Sequence, residues 1–137
     1  MVRRYFRCSE QWFSVLSLSM QEKFMLYTAE FIYLITIVFG IVNLISSIQR
    51  VLHYRSVALI HGLLAATGLL LVFIHIVAVG YTSFLLITFA VLSLATLGGV
   101  TMLIYRLKHK RPPAILLGLH PFVAITGFIL LTAYILP

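Results

Sequence analysis

Four long apolar stretches dominate the sequence and restrict the folds that are open to it. The stretches cover residues 25–47, 57–79, 82–105 and 114–135. Each has the roughly 20 apolar residues that a helix needs to cross a bilayer core. Of the 137 residues, 62% are hydrophobic and 9% are charged, whereas a soluble domain carries about a quarter charged residues. We therefore expect an all-α integral membrane protein that crosses the bacterial inner membrane four times.

The connections between these stretches are short. Only a few residues, from Gly80 to Thr82, separate the second stretch from the third. Pro112 and Pro113 open the fourth stretch, where their missing amide hydrogens cost nothing. Because short connections favour antiparallel neighbours, the sequence predicts an up-down-up-down four-helix bundle over residues 25–137.

Residues 1–24 have a different pattern, a tail followed by an amphipathic segment. Polar side chains recur at spacings of four, three and four: Glu10, Ser14, Ser17 and Gln21. Apolar side chains recur with the same rhythm on another side: Phe13, Leu16, Met20 and Phe24. This periodicity predicts an amphipathic helix that lies in the membrane interface. A disordered tail is the alternative.

The chain contains the same unusual pattern twice. HGLLAATGLLL begins at His61 and HPFVAITGFIL begins at His120, and both read H-x-x-x-A-x-T-G-x-x-L. The offset is 59 residues, and Gly40 aligns with Gly99 at the same offset. We predict two parallel two-helix repeats, related by an axis along the membrane normal. They cover about residues 25–79 and 82–137. Chance similarity stays open, since these residue types are common in membrane helices.

The repeat predicts a ligand site between His61 and His120. Its symmetry places both imidazoles at one depth, facing each other, and ionisable residues inside membrane spans mark function by default. Small residues follow each histidine on the same helix face, at i+4 and i+7: Ala65, Gly68, Ala124 and Gly127. Two imidazoles with flat apolar room between them suit haem b, whose iron takes one axial ligand on each face.

Basic residues at the histidine end suit the two haem propionates. Arg55 and Arg111 are the candidates for this contact. Three other interpretations stay open. Histidines near span ends can be interfacial anchors, and Ala-x-x-Gly faces often serve close helix packing in lipid. A non-haem metal is the third, although two histidines without a third protein ligand make a poor zinc site.

With these features, the four spans resemble the small four-helix transmembrane b-type cytochromes. The segments HGLLAATG and HPFVAITG and the basic loops carry this resemblance. It implies haem held by histidines of facing helices, small residues near the porphyrin, and electron exchange with a quinone or another carrier. The chain departs from the multihaem members, because only the His61–His120 end has a visible histidine pair. At most one bis-histidine haem follows.

Three more polar residues are expected at the other end of the bundle. His75 lies 14 residues after His61, about 21 Å along the same helix. Tyr134 stands at the corresponding position of the second repeat, and Glu30 reaches about the depth of His75. A buried carboxyl and a buried imidazole at one level are expected to pair. Glu30, His75 and Tyr134 are thus candidate catalytic residues for proton handling during quinol oxidation. A structural pair that joins two helices is the alternative.

Charge and composition limit the kinds of partner that the protein can have. The net charge of +7 comes from basic residues at the segment ends, for which anionic lipid head groups are a sufficient partner, and nothing indicates nucleic acid. The positive-inside rule favours a cytoplasmic histidine end. We expect the lipid bilayer, a quinone or redox protein, and further copies or subunits as partners. The alternative function is a cofactor-free membrane protein, either an accessory subunit or a small permeation module.

Overall fold

A computed structural model of the chain consists of four α-helices. It describes the backbone of residues 3–49 and 55–136 and the side chains of residues 23–49 and 56–136. The helices are α1 (Arg3–Ile48), α2 (Arg55–Val79), α3 (Ser83–Leu107) and α4 (Ala114–Ile135). Each is long and apolar enough to cross a membrane, in α1 from Lys23 onward. The chain is therefore a multi-pass integral membrane protein.

The predicted spans agree with the helices to within two residues at each end. The segment for which an interfacial helix is expected is helical from Arg3 and belongs to α1, and no helix end separates it from the span that begins at Lys23. The polar stripe of Glu10, Ser14, Ser17 and Gln21 lies outside the residues whose side chains are described. Its position in the membrane interface therefore stays a prediction.

The connection between α2 and α3 is set by two residues. Gly80 has a φ of +116°, a conformation that only glycine adopts without strain, and it turns the chain away from α2. Thr82 then caps α3, because its hydroxyl accepts a hydrogen bond from the amide of Leu85 at 3.2 Å. These local signals explain how so short a connection reverses the chain.

The end of α3 has the hydrogen bonds of a Schellman motif. The amide of Lys110 donates to the carbonyl of Tyr105 at 2.8 Å, and the amide of His109 donates to the carbonyl of Arg106 at 3.0 Å. His109 occupies the left-handed position, with a φ of 56°, where glycine is the usual residue. The motif fixes the direction of the basic segment that follows α3.

The four helices form a ring of neighbours. In the described part of the chain, α1 packs against α2 and α4, and α3 packs against the same two helices. The most extensive contacts join α1 to α2 and α3 to α4. The pairs α1–α3 and α2–α4 are therefore the diagonals of the bundle. A residue of α2 meets one of α4 only if its side chain reaches across the interior.

Burial divides the bundle into two unlike halves. One half, called the histidine half, contains residues 37–49, 56–67 and 96–126. The other half is called the core half. A cluster of buried apolar residues fills the core half: Leu26, Ala29, Tyr33, Val72, Leu85, Leu92, Leu131 and Ile135. In the histidine half, the buried residues among those described are Ser46 and Ala58. Large side chains therefore pack the interior of only one half.

Candidate functional site

His61 and His120 meet in the interior of the bundle. Their ring centroids are 6.2 Å apart, and the ring planes are inclined at 76°. The two residues belong to the diagonal helices α2 and α4, and both rings are half-buried. The structure thus brings together, within the histidine half of the bundle, the two histidines that the repeat pattern singles out.

Each histidine packs against a glycine of the neighbouring helix. A Cβ atom on Gly40 would lie 3.0 Å from Cε1 of His61, and one on Gly99 would lie 3.3 Å from Cε1 of His120. All four bundle helices therefore contribute one residue to a single layer, called the histidine–glycine layer below. Because both contacts are tight, a side chain at either glycine position would displace a ring.

A backbone hydrogen bond orients the ring of His61. Its Nδ1 lies 2.9 Å from the carbonyl oxygen of Thr36. A carbonyl can only accept, so Nδ1 carries the proton and donates it, and Nε2 of the neutral ring has the free lone pair. Gly40 makes this approach feasible, since it stands four residues after Thr36, where any other side chain would crowd the ring. Metal-binding histidines are commonly oriented by such a bond from the other ring nitrogen.

The corresponding carbonyl of the second half faces His120. It belongs to Ala95, which stands 59 residues after Thr36, and it interacts with the His120 ring. Nδ1 of His120 is nevertheless buried without a hydrogen-bond partner of normal geometry among the described residues. Such a buried polar atom is costly, and in native proteins it marks a group that takes a partner. A small rotation of the ring toward Ala95 would satisfy Nδ1.

The glycines at i+7 serve helix packing. A Cβ atom on Gly68 would lie 2.9 Å from Cε2 of Tyr33, and one on Gly127 would lie 2.7 Å from Cδ2 of Leu92. The surface beside each glycine is thus covered by a side chain of the adjacent helix. This geometry favours the packing alternative over a porphyrin contact at Gly68 and Gly127. Ala65 and Ala124, one turn nearer the histidines, are half-buried.

The arginine that reaches into the bundle is Arg106. Its guanidinium donates to Oδ1 of Asn43 at 2.7 Å and to the backbone carbonyl of Asn43 at 3.1 Å, and it also donates to the hydroxyl of Ser47. These bonds cross the α1–α3 diagonal. Of the two arginines predicted to contact propionates, Arg111 is exposed in the α3–α4 connection, and the side chain of Arg55 lies outside the described residues.

Two of the three candidate catalytic residues have contacts that join different helices. Oε1 of Glu30 accepts a hydrogen bond from the hydroxyl of Thr132 at 2.8 Å, which joins α1 to α4. The pair of Glu30 with His75 that the sequence predicts stays a prediction. His75 is 4% exposed and lies in the core half. The ring of Tyr134 stacks on Phe84 of α3, with centroids 6.2 Å apart. Glu30 lies within reach of α4 because α1 adjoins both α2 and α4.

Tyr33 is a buried polar residue that no sequence motif identifies. It is 7% exposed, and its hydroxyl has no hydrogen-bond partner in the described part of the chain. Its position between Glu30 and Thr36, three residues from each, places it on their face of α1. From that spacing, the sequence could have predicted that Tyr33 faces the bundle interior.

The histidine pair can hold a metal ion only together with ligands from another molecule. The described residues contain no group of three or more His, Cys, Asp or Glu side chains that could hold one. Two imidazole nitrogens that share one ion, each at about 2 Å, have ring centroids about 6 Å apart. The observed 6.2 Å agrees with this separation. A porphyrin supplies the four remaining ligands of an iron, so the donor set fits haem.

Comparison with known proteins gives no relative: no protein-family model, no curated protein and no solved structure matches the chain. The class of this protein therefore follows from its fold alone. It is an all-helical, multi-pass integral membrane protein with four helices that are long and apolar enough to span a membrane.

Proposed function

We propose that this protein binds haem b between His61 and His120 and takes part in membrane electron transfer, with a quinone as a candidate redox partner. The observation that carries the proposal is the meeting of two imidazoles from diagonal helices, 6.2 Å apart, in the bundle interior. Four-helix bundles build cofactor sites in this way, from side chains on facing helices.

The hydrogen bond between His61 and Thr36 supports the assignment of the ligand atom. It leaves Nε2 of His61 with a free lone pair, which is the form that binds iron, and it holds the ring against rotation. His120 lies against Gly99 as His61 lies against Gly40, so both rings are positioned by close contact with a helix backbone.

The uneven burial supports the placement of the porphyrin in the histidine half. There the interior contains no large buried side chain among the described residues, whereas the core half is filled by leucine, valine, isoleucine and tyrosine. Gly68 and its contact with Tyr33 lie about 10 Å along α2 from His61, where the packed core begins. An apolar ring system would complete the interior of the histidine half.

We also propose that the two helix pairs are structural repeats. Equivalent residues make equivalent contacts, since Gly40 meets His61 as Gly99 meets His120, and Tyr33 meets Gly68 as Leu92 meets Gly127. Two further contacts join residues that are themselves 59 positions apart: His61 with His120, and Ser47 with Arg106. Such contacts are expected next to a two-fold axis. The symmetry would make the two axial ligands equivalent.

When bound, the haem supplies one-electron chemistry, and the chain supplies orientation and an apolar surrounding. The four helices are apolar enough to span a membrane, so lipid and protein would surround the proposed site. Glu30 and Thr132 stabilise the contact between α1 and α4 in the core half. We also propose that the core half handles protons. The candidate residues are Glu30, His75 and Tyr134.

A second candidate is a cofactor-free membrane protein, such as an accessory subunit. The inclination of 76° between the rings favours it, because two aromatic rings about 6 Å apart also attract each other edge to face. The packing of Gly68 and Gly127 is equally useful to such a protein.

The deciding experiment is an optical spectrum of the detergent-purified protein, expressed with added haem precursor. We expect the sharp reduced-minus-oxidised bands of a low-spin haem b with two nitrogen ligands, at about one haem per chain. A matched control is His109→Ala, which changes an exposed histidine outside the pair and should keep the spectrum. A colourless protein, still colourless after haem is supplied, would leave the cofactor-free candidate.

A further inference from the structure

The histidine end of the bundle contains no negative charge. The three acidic residues of the chain are Glu10, Glu22 and Glu30, which all belong to the first part of α1. Arg106 lies at the opposite end, half-buried in the last turn of a spanning helix. The partners that its guanidinium has among the described residues, Asn43 and Ser47, are neutral. A charged side chain inside a membrane protein is normally paired. We therefore expect Arg106 to bind an anion from outside the chain.

The guanidinium lies near the ends of two helices that are long and apolar enough to span a membrane. Ser47 is one residue from the end of α1, and Arg106 is one residue from the end of α3. Because α1 and α3 are diagonal helices, the bonds between them place the guanidinium over the bundle interior, at its mouth. The bonds to Asn43 and Ser47 engage its two terminal nitrogens and fix the plane of the group. A guanidinium fixed in this way is prepared to bind an oxyanion.

The segment after α3 adds three exposed cations beside Arg106. Lys108, Lys110 and Arg111 follow within five residues, and the Schellman bonds from His109 and Lys110 turn this segment back onto the helix end. The negative end of the helix dipole favours cations at this position. The histidine end therefore presents one half-buried and three exposed basic residues in a small area.

We propose that Arg106, held by Asn43 and Ser47, binds the phosphate of an anionic phospholipid head group, with Lys108, Lys110 and Arg111 around it. Asn43 and Ser47 engage three of the five N–H donors, and the two that remain can donate charge-assisted hydrogen bonds to phosphate oxygens, which anionic lipids supply at the membrane surface. Basic pockets between spanning helices bind such head groups. The proposal is independent of haem, since it concerns the mouth of the bundle and not the histidine pair.

The test measures thermal unfolding in nanodiscs of phosphatidylcholine alone and of phosphatidylcholine with increasing phosphatidylglycerol. The wild-type protein should gain melting temperature as phosphatidylglycerol is added. In Arg106→Gln the phosphatidylglycerol concentration that gives half of this gain should rise about fivefold or more. The control is Lys23→Gln, which removes an exposed cation at the opposite end and should leave the response unchanged.

Three outcomes would overturn the proposal. The first is an equal response of Arg106→Gln and Lys23→Gln, which would reduce the effect to diffuse surface charge. The second is the same gain from inorganic phosphate in phosphatidylcholine nanodiscs, which would show a site for the free ion. The third is an unchanged lipid response with a loss of haem, which would assign the guanidinium to a haem carboxylate. If Arg106→Gln does not fold, Arg106→Lys replaces it. Lysine keeps the charge but cannot make all the bonds to Asn43 and Ser47 that fix the guanidinium, so it should also weaken the response.

Discussion

The carbonyl of Thr36 accepts a hydrogen bond from Nδ1 of His61, and the two atoms are 2.9 Å apart. This bond connects α1 to α2 at the histidine–glycine layer and depends on Gly40, the residue one helical turn after Thr36. Any side chain at position 40 would stand where the imidazole now lies. The glycine, the carbonyl and the ring therefore act as one unit. In the second helix pair Gly99 lies against His120 in the same way, but Nδ1 of His120 has no hydrogen-bond partner of normal geometry among the described residues.

Gly40→Ala should destabilise the protein by about 1–3 kcal/mol, the usual cost of overpacking. Its Cβ would lie 3.0 Å from Cε1 of His61, so the ring must shift by a few tenths of an ångström, which strains its hydrogen bond with Thr36. Gly99→Ala should cost less, because its nearest ring atom is 3.3 Å away. The measurement is thermal unfolding in detergent. Gly62→Ala is the control, since nothing lies within 4 Å of its Cβ position. Equal stability of Gly40→Ala and Gly62→Ala would contradict the contact.

If haem binds as proposed, His61→Ala and His120→Ala should each abolish the bis-histidine spectrum, because each removes one of the two proposed iron ligands. His75→Ala should keep it, since His75 lies about 21 Å along α2 from His61. The measurement is the reduced-minus-oxidised spectrum together with haem content per chain. A spectrum that survives in His120→Ala but disappears in His75→Ala would refute the pairing across the diagonal.

Much of this fold could be predicted from the sequence, because in lipid the backbone has few choices. A span must be helical to satisfy its own hydrogen bonds, so the lengths of the apolar stretches define the helices. The offset of 59 residues also led to His61 and His120, which do meet. Regular patterns of this kind act over a whole helix and are visible without knowledge of its neighbours.

What could not be predicted depends on which helix covers which face. The small residues at Gly68 and Gly127 are compatible with a flat ligand or with a neighbouring helix, and only the packing shows that Tyr33 and Leu92 cover them. In the same way, depth alone does not show that Glu30 also reaches Thr132 of α4, because that contact depends on its lateral position on α1. Arg106 could be assigned to the loops by its neighbours in sequence, yet its long side chain reaches the diagonal helix.

Gly68→Ala should destabilise the bundle whether or not haem is bound, by about 1–3 kcal/mol. The new Cβ would lie 2.9 Å from the rigid ring of Tyr33, and the ring has little freedom to move in the packed core. The measurement is thermal stability of haem-free and haem-loaded protein. Gly118→Ala is the control, because its Cβ position has no neighbour within 4 Å. Loss of haem from Gly68→Ala at unchanged stability would instead place the porphyrin at this glycine.

Tyr33→Phe should raise the free energy of unfolding by about 1 kcal/mol. The hydroxyl of Tyr33 is buried without a hydrogen-bond partner among the described residues, and removal of an unsatisfied polar group relieves its desolvation cost. Tyr27→Phe is the control, since Tyr27 is 46% exposed. Reversible unfolding in detergent with denaturant provides the measurement. A loss of stability in Tyr33→Phe would show that the hydroxyl binds a partner, such as an internal water.

Glu30 and Thr132 should show a coupling free energy of about 0.6 kcal/mol, the average for hydrogen bonds measured in a helical membrane protein. The bond from the Thr132 hydroxyl to Oε1 of Glu30 is 2.8 Å long and joins α1 to α4. A double-mutant cycle with Glu30→Ala and Thr132→Ala measures this term from the unfolding free energies of the four proteins. A parallel cycle with Glu30→Ala and His75→Ala tests the pairing expected from depth alone. We expect that cycle to give the smaller coupling, because the hydrogen bond that Oε1 of Glu30 accepts comes from α4. A larger coupling with His75 than with Thr132 would reverse this assignment and return the carboxyl–imidazole pair to the core half.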